Sequence, residues 1–270
     1  MIDIVPISFN GIEDIEYNSI LYKEKFIKDA VMVFRNANLS HENHIKINDV
    51  FSKILGCHRE NNVNGYTENH SRMTENKKHQ VGSDDIMLTW HIEHPHYENP
   101  IVLGTWNMHK FTTDEENGKT YFVDTETLFN MMPKNMQDFS FNCKIINPVG
   151  ETQGLSGIHN LIENHWITNK PLIRISHLYQ TGKDYQVLHS FENRIPTSFE
   201  YEEYNNVISW IQNQISKNLD IRMVHRWNQG DLAVTDMYKM CHAVSGGFES
   251  KDREFTGIWA RQYKNDIRKG

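Results

Sequence analysis

Along the first sixty residues the apolar positions change their spacing twice. From Tyr22 to Ala30 they recur at helical intervals, and Val31-Met32-Val33-Phe34-Arg35 then forms a short continuous run of strand length. Leu39-Ser40 reads as a helix start, with Ser40 as N-cap and Asn43 where a capping box would carry Glu or Gln. That helix runs through Ile45, Ile47, Val50, Phe51 and Ile54-Leu55 and stops at Gly56. Residues 57–85 are polar, rich in Asn, His, Lys and Ser, and nearly free of large aliphatics. This pattern predicts an exposed loop, of a length that compact domains keep mainly for functional use.

From Ile86 onward the pattern turns β-like. Ile86 to Glu93, Ile101 to Trp106 and Thr120 to Asp124 are predicted strands, separated by Asn-Pro and Asn-Gly turn signals. Thr125 to Asn130 predicts a helical turn. Phe141 to Ile146, Leu172 to Ser176 and Tyr185 to Leu188 predict further strands. Phe199 to Leu219 is the clearest amphipathic helix, with Tyr204, Ile208, Ile211 and Ile215 on one side. Arg222 to Trp227, Asp231 to Asp236 and Phe255 to Tyr263 complete the strands. The chain has no internal repeat, low-complexity linker or break in composition, so one domain over residues 1–270 is expected. Many short strands with a few helices predict a mainly β fold with flanking helices, a sandwich or barrel.

Composition narrows the function classes. There are 28 Lys+Arg against 35 Asp+Glu, a formal net charge of −7, which opposes a general nucleic-acid binder. Hydrophobic residues at 38% and aromatics at 11% suffice for a sizeable core. No run approaches the ~18–20 apolar residues that span a bilayer, and the start carries no signal-peptide pattern, so a cytoplasmic protein with no membrane partner is expected. Cys57, Cys143 and Cys241 are odd in number and show no CxxC spacing, which favours thiols in a reducing compartment. The unusual count is histidine, at 15, and it opens a metal hypothesis.

The chemistry starts at Trp90-His91-Ile92-Glu93. On a strand, residues two apart share a face, so His91 and Glu93 project together while Trp90 and Ile92 pack on the other side. An imidazole beside a carboxylate is two thirds of the 2-His-1-carboxylate triad that holds non-haem Fe(II) with positions left open. Chance alone gives roughly two His-x-Asp/Glu matches in such a composition. The sequence holds His58/Glu60, His91/Glu93 and His96/Glu98. Context separates them, since His91/Glu93 ends a β-like run, His58/Glu60 lies in the polar loop and prolines break the third pair. In the C-terminal third, Gly230 to Asp236 reads as a turn into a strand, His242 follows, and Phe255 to Arg261 places Trp259 and Arg261 on one face. An arginine aimed into a barrel requires an anion, for which a carboxylate is the natural bidentate partner.

These segments together resemble the Fe(II)/2-oxoglutarate-dependent oxygenases of the taurine dioxygenase (TauD/TfdA) and clavaminate synthase type. The matching pieces run in the family's order along nearly the whole chain. They are Val31 to Arg35 with Leu39-Ser40, Trp90-His91-x-Glu93 with Asn99-Pro100, Gly118-Lys119-Thr120, Leu172-Ile173-Arg174 with His177, Gly230 to Asp236, His242 and Arg261. The resemblance implies a double-stranded β-helix core of the jelly-roll, cupin-like kind, with residues of about 125–220 as an insertion. It implies His91, Glu93 and His242 as iron ligands and catalytic centre, Thr120 as a hydroxyl donor to 2-oxoglutarate, and Arg261 as the clamp on its distal carboxylate. Arg253 is the rival clamp; strand face and the neighbouring Trp259 favour Arg261. Fe(II), 2-oxoglutarate and O2 are thereby expected as cofactor, cosubstrate and oxidant.

By the same resemblance the substrate side falls on the polar loop, with Tyr66, His70 and Arg72 as candidates, together with Arg174 and His177 near the barrel mouth; His94, next to the His91/Glu93 strand end, is a further candidate for lining the pocket. A Glu in place of the Asp of taurine dioxygenase-like members disfavours a sulfonate and favours an amino acid or a derivative of one. The expected dioxygenase thus hydroxylates a small polar molecule. Two alternatives remain open at this point: a non-catalytic metal- and 2-oxoglutarate-binding jelly roll, and an oxygenase acting on a macromolecule. The oligomeric state, including a homo-oligomer, is equally open.

Overall fold

The computed structural model describes residues 1–59, 69–71, 79–81, 84–93, 99–146, 157–175 and 186–262. The strands in the first half of the chain are β1 (Ile2–Asp3), β2 (Ile7–Ser8), β3 (Val31–Arg35), β4 (Cys57–Arg59), β5 (Asn69–Ser71), β6 (His79–Val81), β7 (Asp84–His91), β8 (Ile101–Phe111) and β9 (Thr120–Asp124). They continue as β10 (Cys143–Ile146), β11 (Ile158–Asn160), β12 (Ile162–Asn164), β13 (Pro171–Ile173), β14 (Val187–Phe191), β15 (Arg222–His225), β16 (Leu232–Asp236), β17 (Met240–Ser245) and β18 (Arg253–Gln262). The helices are α1 (Ile12–Tyr17), α2 (Ser19–Asp29), α3 (His41–Leu55), α4 (Thr125–Met131), α5 (Lys134–Ser140) and α6 (Ser198–Lys217).

Two sheets form the double-stranded β-helix. The first has the order β1-β15-β9-β17-β7-β6 and the second β2-β3-β16-β8-β18-β4, with β5 also paired to β18. Strand β3 shows why they face each other. Val31 and Val33 point into the barrel with Trp106, Met108, Phe122, Trp227, Ala233 and Met240, whereas Met32 and Phe34 point outward under α2 and α3. All four are buried, so this strand reads as an unbroken apolar run without alternation. The outer face of the first sheet (Tyr121, Val123, Val224, Cys241, Ala243) is covered by Leu128 and Phe129 of α4 and by Tyr204, Val207, Ile211 and Ile215 of α6. Two small sheets, β11-β10-β14 and β12-β13, complete that layer.

The helix signals act locally as their chemistry requires. Ser40 Oγ accepts from the Asn43 amide at 3.2 Å, and Gly56 ends α3 in the left-handed region at φ 77°. Thr197 and Glu200 close a capping box at the start of α6, and Val207 rather than Ile208 occupies the fully buried stripe. Residues 57–85 are not one continuous loop: β4 and β5 add to the β18 edge and β6 pairs with β7. Edge strands pair through backbone groups and need no apolar side chains, so polarity hid them. No helix among the described residues is long and apolar enough to cross a membrane.

Candidate active site

His91 is the last residue of β7 and His242 the third of β17, and the two lie directly opposite each other across the antiparallel ladder. Opposed residues share a face, so both imidazoles enter the barrel, with ring centroids 4.3 Å apart. Between the His242 and Val244 pairs the register shifts, and two residues of β17 span three of β7. The extra residue is a bulge that re-aims the strand end carrying His91. Two positions on, Glu93 Oε2 lies 3.6 Å from His242 Nε2 and 4.0 Å from His91 Nε2. One donor atom from each of the three residues fits within 4.8 Å of the others. Trp106 meets the His242 ring edge-on at 5.3 Å and Phe122 lies at 6.2 Å. Burial pushes the Glu93 carboxyl up to about 7, a desolvation cost that a cation between the two imidazoles would offset. Two imidazoles and a carboxylate suit a divalent transition metal and leave coordination positions open.

The opposite end of the barrel holds a second group of polar residues. Thr120 pairs with Val244 and with His225, two positions along from Phe122 on the same inner face. Its Oγ1 accepts from Trp227 Nε1 at 2.9 Å, which leaves the hydroxyl proton to be donated elsewhere. Arg253, 2% exposed, sits against the same indole, its guanidinium 5.9 Å from the Trp227 ring, 5.4 Å from Phe248 and 5.0 Å from Phe255. Burial pulls its pKa down to about 9. Behind it, Asp231 accepts from Arg35 at 2.6 Å and lies 3.2 Å from His225 Nε2.

Arg261 is elsewhere. It is the penultimate residue of β18, opposite Ile101 and His58, and it donates to the Asn99 carbonyl. Eight residues of strand, roughly 25 Å, separate it from Arg253. It therefore lies at the barrel end carrying the metal-ligand candidates, while Arg253 and Thr120 share the other. Arg174 is also at the first end, 2% exposed and engaged with Glu163 and Tyr238. Tyr66, Arg72, His94 and His177 lie outside the described residues, and His70 is placed only as backbone in β5, opposite Thr256. Sequence reasoning missed Trp227, Glu163, Tyr238 and Asp231, whose roles come from contacts between remote segments.

Burial alone would raise the Glu163 carboxyl, yet the hydrogen bond from His159, the Arg174 charge and the Tyr238 hydroxyl together hold it at about 2. A carboxylate depressed on folding contributes stability above its unfolded value of about 4.5 and loses it as pH falls toward 2. Glu163→Gln should therefore remove a contribution of about 3 kcal/mol at neutral pH and flatten the acid limb between pH 4.5 and 2. Urea titrations at pH 7, 4 and 3 measure this; parallel acid limbs for the two proteins would contradict it.

The profile of the taurine catabolism dioxygenase TauD, TfdA family matches residues 22–259. Among solved structures the fold is similar to AAD-2 in complex with Mn(II) and N-oxalylglycine, with a TM-score of 0.66 and 14% identity over 92% of this chain and 89% of that one. It is also similar to a taurine dioxygenase from Burkholderia xenovorans, with a TM-score of 0.64 and 14% identity over 91% of this chain and 80% of that one. No curated protein sequence matches.

Proposed function

The chain belongs to the TauD/TfdA dioxygenase family, and from that premise we propose that His91, Glu93 and His242 hold Fe(II) for the 2-oxoglutarate-dependent oxidation of a small polar molecule. The observation that carries the metal assignment is the convergence of three donors, remote in sequence, within 4.8 Å on the inner wall of the barrel. Bound Fe(II) supplies open positions for 2-oxoglutarate and O2 and the redox change that oxidising a C–H bond requires.

The protein's own groups do the placing. His91 Nε2, His242 Nε2 and Glu93 Oε2 are the atoms that would hold the cation, which would offset the cost of burying the Glu93 carboxylate. Arg253, rather than Arg261, is proposed to clamp the distal carboxylate of 2-oxoglutarate, because it shares Trp227 with Thr120. The indole N–H fixes the Thr120 oxygen as acceptor, so its proton is directed to the guest carboxylate. Trp106, Phe122 and Met240 wall the space between and keep water from it. Arg261 and Asn99 lie at the metal-bearing end, on the side proposed for the substrate.

The Glu ligand supports an amino acid or amino-acid derivative as substrate. A panel of free amino acids and their N-acyl forms, assayed for succinate release with Fe(II), 2-oxoglutarate and air, tests this. Succinate formation coupled to loss of one panel member supports the reading. Metal binding with succinate at the buffer rate throughout would instead favour the non-catalytic binder.

A further inference from the structure

The structure assigns Arg174 a positioning role: it fastens the His91-x-Glu93 strand end and the turn before His242 to one another, and so sets the spacing of the three donor atoms. The inference rests on the metal-centre reading above, and it moves Arg174 from the substrate candidates to the supporting frame.

Arg174 reaches the first half of the centre through the backbone. Its amide donates to the Leu161 carbonyl at 2.8 Å, and the next carbonyl, of Ile175, accepts from the Ile92 amide at 3.3 Å. Ile92 is the residue between His91 and Glu93. This link holds the strand end after β7 has finished pairing with β17, where nothing in the ladder itself would fix the direction of Glu93.

The guanidinium reaches the second half. Its Cζ lies 4.3 Å from the Tyr238 ring centroid, and Nη1 donates to the Tyr238 carbonyl at 3.3 Å. Glu163 joins the two, with its Oε2 accepting from the Tyr238 hydroxyl at 2.6 Å and lying 3.3 Å from Arg174 Nε. Tyr238 sits in the turn between β16 and β17, four residues before His242. The same turn is fastened from below, since Asp236 Oδ1 accepts from the Tyr238 and Lys239 amides at 3.1 Å each and Asp236 Oδ2 meets His165 Nε2 at 2.8 Å.

Every link except the three through the Arg174 side chain would survive its replacement. A planar, delocalised cation suits this position because it stacks, donates sideways and balances a carboxylate at once; a lysine ammonium keeps only the charge. Groups bonded directly to metal ligands typically carry 10–100-fold of metal affinity, and Arg174, one step further out, belongs at the low end of that range.

Arg174→Lys and Tyr238→Phe, each retaining the folded circular-dichroism spectrum, should bind Mn(II) about tenfold or more weakly by electron paramagnetic resonance titration. With Co(II) bound, both should show a shifted visible d–d spectrum, because the angles between donors change. The KM for 2-oxoglutarate at saturating metal should stay within about twofold. Wild-type Mn(II) affinity and an unshifted Co(II) spectrum in both variants would overturn the positioning role. A raised substrate KM with unaltered metal affinity would overturn it too, and return Arg174 to substrate contact. Wild-type protein serves as the control for the underlying reading: if it binds no Mn(II), or binds it equally with His242→Ala, the metal centre and this inference both fall.

Discussion

His242→Ala should lose Mn(II) and Fe(II) affinity by roughly 10³-fold or more, and succinate output should fall to the buffer rate. Outer partners of metal ligands alone carry 10–100-fold, and removing a donor removes more. The effect should not come from unfolding. His242 lies against Trp106 and Phe122 at ring distances of 5.3 and 6.2 Å, and its strand keeps both neighbours, β7 and β9. Truncation leaves a cavity costing about 2–3 kcal/mol, within the reserve of an ordinary domain. His91→Ala should behave alike, because the two imidazoles occupy one rung. Isothermal titration with Mn(II), with circular dichroism as the fold check, decides it. Micromolar affinity persisting in either variant would mean that the cation sits elsewhere.

The second large effect separates the two arginines. Arg253→Gln should raise the KM for 2-oxoglutarate by about 100-fold, as expected when a charge-assisted carboxylate contact of about 2–3 kcal/mol is lost, while leaving metal affinity nearly unchanged. Arg253→Lys should recover little of it, since the aromatic cage of Trp227, Phe248 and Phe255 fits a flat cation. Arg261→Gln should leave the 2-oxoglutarate KM alone and act on the substrate. Steady-state kinetics on the three variants read this directly. A raised cosubstrate KM in Arg261→Gln, with a wild-type value in Arg253→Gln, would return the clamp to Arg261.

The two arginines also show where period-2 reasoning stops working. Counting outward from Trp259 puts Arg261 on its face and supports it as the inward cation. In the folded chain β18 changes register twice against β8, between Glu254 and Phe255 and again between Ala260 and Arg261. Both shifts place the extra residue on β8, so parity along β18 holds and gives Arg253 and Arg261 the same face; alternation alone cannot say which end of the strand meets the anion. That His91 and Glu93 point the same way was legible, since two positions two apart in one short segment need only local geometry. His242 was reached through the order of segments, because Met240 to Ser245 is buried at every position and gives no alternation to read. The long amphipathic helix and the Ser40 and Gly56 stops were plain, being encoded within a few residues. Glu163 with Tyr238, and Trp227 with Thr120, are partners 75 and 107 residues apart, and no local pattern carries such pairs.

The shared rung of His91 and His242 has a consequence for the chain as a polymer. The three cysteines are buried thiols with no disulfide among them, so no covalent cross-link shortens the denatured coil. A cation gripped between positions about 150 residues apart closes a loop of that size reversibly, much as a disulfide would do permanently. Each hundredfold excess of ion over its dissociation constant should then add about 2.7 kcal/mol against unfolding, so the melting temperature would climb with metal supply and chelators would act as denaturants.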